Sequence, residues 1–352
     1  MNLQSSAGRN KVPEFSISDF QGLAHPHVIE VWAVSNVWCR LNSESLQLSI
    51  RGEHMKKAAV ISCILTIAIW VPVQGLPQSQ PATGQSTSTP AAPAAKRPPQ
   101  AKTQAEYDAW KAAAANTDPA AMEKAADDFA AKFPDSELRV LLYKNTMRAY
   151  QNANNSEKVE ATGRKVIGLD ADDPEALVSI AEIIVQRTHD TDIDKDQRYS
   201  EGIKLAQRAL QTVDTDVSVP AGATQPQVDA YKAQLRSRAY SAIGSIEYSQ
   251  NNFAAAQGDF QKAIDADPSN VYALDVLHLA LAIDKQATAI ADQDRAKSQQ
   301  LYADALKVAN RAVDMTKENT PLGTPARHER DRLQQLIGTA APAPAASQPP
   351  KN

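Results

Sequence analysis

The chain has 352 residues, 43% of them hydrophobic but only 5% aromatic, with 13 glycines and a formal net charge of −4. At roughly 150 residues per domain, that length holds about two domains or one long array of small repeats. The alanine-rich, aromatic-poor profile suits helices and argues against a β-sandwich or barrel. The charge leaves no basic footprint for nucleic acid or anionic membrane, so neither is an expected partner.

In chain order, the first organised feature begins at Met55. Met55, Lys56 and Lys57 make a basic start, and residues 58–71 (AAVISCILTIAIWV) are an uncharged apolar run of 14. Val73 and Gly75 then stand at the −3 and −1 positions of a cleavage site before Leu76. The run is shorter than the roughly 20 apolar residues that span a bilayer. Residues 55–75 therefore read as a cleaved signal peptide, with an uncleaved anchor as the alternative. A signal sits at the physical start of a polypeptide, so 1–54, which lack clear periodicity, read as a leader upstream of the true start. The expected product is periplasmic or secreted, with no stable membrane span in the mature chain. Cys39 and Cys63 both precede Leu76, which excludes disulfides and thiol catalysis beyond it. Lipid attachment at Cys63 is disfavoured, because only five residues separate it from Lys57. From Leu76 onward there are 31 Lys/Arg against 36 Asp/Glu, a net charge of −5.

Residues 76–103, rich in Pro, Ala, Ser, Thr and Gln, read as a disordered tether, and 339–352 repeat that chemistry as a tail. Between them, 104–338 carry apolar residues at helical spacing broken by turn clusters. The clearest unit is 237–270. Tyr240, Ile243 and Gly244 share one face of a first helix, Asn251 and Asn252 make a turn, and Phe253, Ala256, Phe260 and Ala263 share one face of a second that Pro268 stops. This hairpin of 34 residues resembles the tetratricopeptide repeat, which pairs an aromatic-x2-Leu-Gly helix with an Ala-x3-aromatic-x2-Ala helix and a closing Pro. Glu247 stands where that family usually has Tyr.

Further hairpins are expected around it, since one unit cannot bury its own face. Residues 140–170 offer Tyr143, Met147 and Tyr150, then Val159, Gly163 and Val166, around Asn154 and Asn155. Residues 174–214 offer Leu177, Ile180, Ala181 and Ile184, then Tyr199, Gly202, Ala206 and Ala209, with an insertion at 188–196. Residues 271–317 offer Leu274, Leu277 and Leu281, then Tyr302, Ala305, Ala309 and Ala312, with an insertion at 285–300. A hairpin over 105–133 precedes these, and a helix over 325–338, with Thr324 as N-cap and Pro325 at its first position, closes the array. The resemblance implies an all-α, right-handed superhelical solenoid of antiparallel helical hairpins.

No spacing of catalytic residues presents itself, and no catalytic, cofactor or metal residues are assigned. The histidines beyond Leu76 are His189, His278 and His328, far apart; His278 reads as a packed helix side chain. Asp190, Asp192, Asp194, Asp196 and Glu201 follow calcium-loop spacing, but Lys195 stands where that loop needs Gly. A solvated acidic insertion is the simpler reading. What the resemblance implies is a binding groove lined by the first helix of each hairpin. Its candidate residues are Lys144, Arg148, Gln151 and Asn152; Glu182 and Gln186; and Arg238, Ser241, Ser245 and Tyr248. Lys144 and Arg148, four apart, suit an acidic segment or a carboxylate terminus. The expected function is non-enzymatic: a protein- or peptide-binding scaffold or adaptor of the bacterial cell envelope, with no cofactor. The alternatives are an envelope enzyme or solute-binding protein using a pocket between the insertions, and an anchored subunit of an outer-membrane assembly complex.

Overall fold

The computed structural model describes residues 96–219 and 222–339. The leader, the signal, the first part of the tether and the tail beyond 339 lie outside the described residues. Among the described residues there are eleven α-helices and no strand. They are α1 (Gln104–Ala114), α2 (Pro119–Lys132), α3 (Arg139–Asn152), α4 (Ser156–Leu169), α5 (Pro174–Arg187), α6 (Lys195–Thr212), α7 (Gln225–Ser249), α8 (Phe253–Ala266), α9 (Ala273–Ile290), α10 (Arg295–Asp314) and α11 (Gly323–Thr339). Each helix packs on the next in sequence, and the odd-numbered helices also meet one another, α1 with α3, α5 with α7 and α7 with α9.

Local chemistry sets the helix starts. Asp118 and Asp173 accept the amides of Ala121 and Ala176 and are each followed by Pro at the first helical position. Asn155 and Asp294 cap α4 and α10 in the same way, and Thr224 with Gln227 forms a capping box on α7. The tight turns α3–α4 and α7–α8 pass through Asn154 (φ 52°) and Asn251 (φ 63°). That left-handed conformation is one Asn tolerates better than most residues, and both asparagines belong to the turn pairs read from sequence.

The core follows the same sequential order. Phe129, Tyr143, Met147, Tyr150, Val159 and Val166 bury together at the N-terminal end. Leu177, Ala181, Ala206, Ala209, Ala239 and Ile243 occupy the middle, and Phe260, Leu277, Leu281, Tyr302, Ala305 and Leu333 the C-terminal end. Small residues stand where helices come close. A Cβ on Gly244 would lie 3.0 Å from the Phe260 ring, and one on Gly202 would lie 2.8 Å from Ile246.

Several boundaries differ from the sequence reading. Residues 285–300, expected as an inserted loop, instead lengthen both helices of their hairpin: α9 continues to Ile290 and α10 starts at Arg295. Ala287 and Ser298 are buried where they face each other, and the Ser298 hydroxyl donates to the Ala287 carbonyl at 2.8 Å. The first helix of the clearest repeat also begins twelve residues earlier, at Gln225. Its extra turns bury Val228 and Leu235, with Leu235 packing on Val213 and Val217. The last helix starts at Gly323, whose amide donates to Thr320 Oγ1 at 2.9 Å. Thr320 therefore does the capping that the sequence assigned to Thr324.

Candidate functional site

The odd-numbered helices share one polar face, and its side chains form a ladder from α3 to α9. Lys144 and Arg148, one turn apart on α3, reach across to the start of α5. Lys144 is only 4% exposed. Its ammonium lies 2.7 Å from Asp173 Oδ2 and 3.2 Å from Glu175 Oε2. Arg148 holds Glu175 with two prongs, at 2.5 and 2.6 Å, and Tyr231 of α7 is close enough to the same carboxylate to interact with it electrostatically. Burial pulls the Glu175 carboxyl upward in pKa, but Arg148 and Lys144 outweigh it and hold it well below the usual carboxylate range. Burial likewise pulls Lys144 down, and Asp173 and Glu175 more than reverse it. The cluster therefore stays charged while buried, a state that mutual pairing makes tolerable.

The next rung joins α5 to α7. Arg238 donates to both Glu182 oxygens, at 2.8 and 2.5 Å. Ser179 Oγ accepts from Gln151 of α3 at 2.8 Å and from Arg238 at 3.4 Å, so one hydroxyl bridges three helices. The third rung joins α7 to α9: Ser241 Oγ donates to Asp275 Oδ1 at 2.5 Å, and Gln234 donates to the Tyr272 hydroxyl at 3.3 Å. Asp275 is 1% exposed, and burial, with Glu182 adding to it against the Ser241 bond, pushes its carboxyl up to about 7.

The candidate lining residues thus fall into two groups. Lys144, Arg148, Gln151, Glu182, Arg238 and Ser241 tie neighbouring helices together. Ser245 is buried, and Tyr248 is buried with its ring edge-on to Phe253 at 5.2 Å. Asn152 is exposed at the end of α3, and Gln186, half-buried, accepts from Ser156 at 2.7 Å. Sequence reasoning missed the acidic side of the ladder, namely Asp173, Glu175 and Asp275. One available signal was the Asp-Pro-Glu run at 173–175, which puts two carboxylates at the start of α5, the next odd-numbered helix after the basic α3.

The acidic loop of 188–196 is tied into its own backbone and neighbours. Asp192 accepts the His189 amide at 2.9 Å and lies 3.8 Å from Arg198, while Asp190 lies 3.5 Å from Lys195. Asp194 sits just before α6. Among the described residues no three His, Cys, Asp or Glu side chains converge on a metal position. His278 is 5% exposed and packs its ring against Phe260 at 5.2 Å. No described helix is long and apolar enough to cross a membrane. No family model matches the chain, and no curated protein matches it.

Proposed function

We propose that the chain is an exported, non-catalytic scaffold or adaptor of tetratricopeptide-like helical hairpins that binds a protein or peptide in the bacterial cell envelope. The observation that carries this reading is the ladder itself. Successive odd-numbered helices present one polar face and are fastened to one another along it, the arrangement by which helical repeats offer an extended surface. The fold alone does not give function, so the reading rests on what that face leaves accessible. Lys144, Arg148 and Arg238 already have carboxylate partners, which makes the face nearer neutral than its basic residues imply. Recognition then falls to accessible polar groups, among them Asn152, Gln186 and the partly exposed Glu182, rather than to a basic clamp for an acidic segment.

Site-specific photo-crosslinking tests this. A crosslinker replacing Asn152 or Gln186 is expected to capture one discrete envelope protein. The same group replacing Lys204 or Gln261, which are exposed on the even helices α6 and α8, is expected to capture none. Equal adducts from both sets, or none from either, would count against a scaffold working through this face.

A further inference from the structure

Residues 96–102 (KRPPQAK) precede the first helix and carry no regular secondary structure, yet they touch three alternate turns of the array. The Lys96 amide donates to the Thr215 carbonyl in the α6–α7 connection at 2.9 Å. Its ammonium meets Asp170 in the α4–α5 turn at 2.5 Å and Asp216 at 3.5 Å. Arg97 takes Glu137, in the α2–α3 turn, with two nitrogens at 2.8 and 2.5 Å, and the Gln100 amide donates to the same carboxylate at 3.2 Å. Lys102 Nζ donates to the Asp135 carbonyl at 2.8 Å. Pro98 and Pro99 favour an extended chain and have no amides of their own to satisfy. Lys96 and Arg97 therefore meet acidic side chains of the turns, while Lys102 at the far end of the segment is held by a backbone carbonyl.

We propose that this turn edge is a docking surface for an extended, basic, proline-containing segment, and that residues 96–102 are its built-in occupant, a strap bracing three hairpins. Each ion pair is partly exposed and weak taken alone. Being linked through one short chain, they act at high effective concentration and hold or release together. The strap also moves the point where the tether leaves the helices from the start of α1 to the side of Thr215. Because exposed ion pairs supply the grip, the strap opens as ionic strength rises.

Residue-resolved amide exchange on the intact chain tests it at Lys96, whose acceptor Thr215 belongs to a different turn from Glu137. In low salt, the Lys96 amide is expected to exchange at least about tenfold more slowly than in an unstructured peptide. Arg97→Glu is expected to abolish that protection, and adding Glu137→Arg to restore it. Concentrated salt is expected to abolish it in the unaltered chain. The proposal is overturned if Lys96 exchanges at the peptide rate without substitution, if its protection survives Arg97→Glu, or if the reversed pair fails to restore it. Arg97 and Glu137 lie outside the helices with their side chains partly exposed, so an unchanged helical circular dichroism spectrum separates strap release from unfolding.

Discussion

Asp275 has a hydroxyl, Ser241 Oγ, as partner to one oxygen, while its other oxygen meets no hydrogen-bond donor. A carboxyl so buried is more stable neutral than charged. The unfolded chain releases this proton near pH 3.9, whereas the fold keeps it until about pH 7. The stability contributed by the neutral acid is complete below the lower value and declines by about 1.4 kcal/mol per pH unit between the two. Above about pH 7 the loss is complete. Asp275→Asn is expected to remove this decline, giving a chain more resistant to urea than the original at pH 8 but not at pH 4.5; parallel pH profiles would refute the assignment. A second contrast concerns two glycines inside helices. Nothing lies within 4 Å of a Cβ built on Gly258, so Gly258→Ala is expected to stabilise by about 1 kcal/mol through helix propensity. Gly244→Ala gains the same propensity but forces the Phe260 ring aside from 3.0 Å, and overpacking of about 1–3 kcal/mol outweighs that gain. Thermal melting of the two variants should shift in opposite directions.

At the start of α5 a single residue joins helix formation to helix packing. Asp173 is fully buried; one carboxylate oxygen caps the Ala176 amide at 2.9 Å and the other takes Lys144 at 2.7 Å. Asp173→Asn keeps an oxygen for the cap and removes the charge; Asp173→Ala removes both. Leaving a buried charge wholly unpaired costs about 3–5 kcal/mol. Lys144 keeps Glu175 at 3.2 Å, so the loss of the Asp173 charge costs less than that, and loss of a cap adds about 1 kcal/mol. Chemical denaturation is expected to rank the original above Asn and Asn above Ala, and equal stability of the two variants would show that the cap contributes nothing. Such elements also show where the sequence was legible. The helical period, the Asn turns and the Gly244–Phe260 approach were readable because each depends on neighbours within one hairpin. The ladder was not, because Lys144 and Glu175 lie in different hairpins and nothing local to Lys144 announces a carboxylate above it. The same limit explains residues 285–300: surplus over a repeat length reads as a loop, whereas here it continues both helices, closed by the Ser298–Ala287 bond.

Across the whole set of described helices, packing runs between sequence neighbours, and the buried apolar residues divide into successive clusters rather than one centre. Arrays of this kind owe their stability to each unit and its nearest interfaces, so damage at one end is felt locally first. The terminal helix α11 makes the test direct. Its Leu333 is fully buried in the C-terminal cluster, and beside it Arg332 bridges to Asp284 of α9 at 2.5 Å and to Glu329 at 3.1 Å. Leu333→Ala removes buried volume at a cost of about 2–5 kcal/mol. Amide protection is then expected to fall across α9, α10 and α11 while the helices around Met147 and Phe129 keep theirs. A uniform fall through all eleven helices would mean that the ion-pair ladder couples the array into one cooperative unit. In that case the rungs at Lys144, Arg238 and Ser241, more than the apolar clusters, set the length over which the chain responds as a whole.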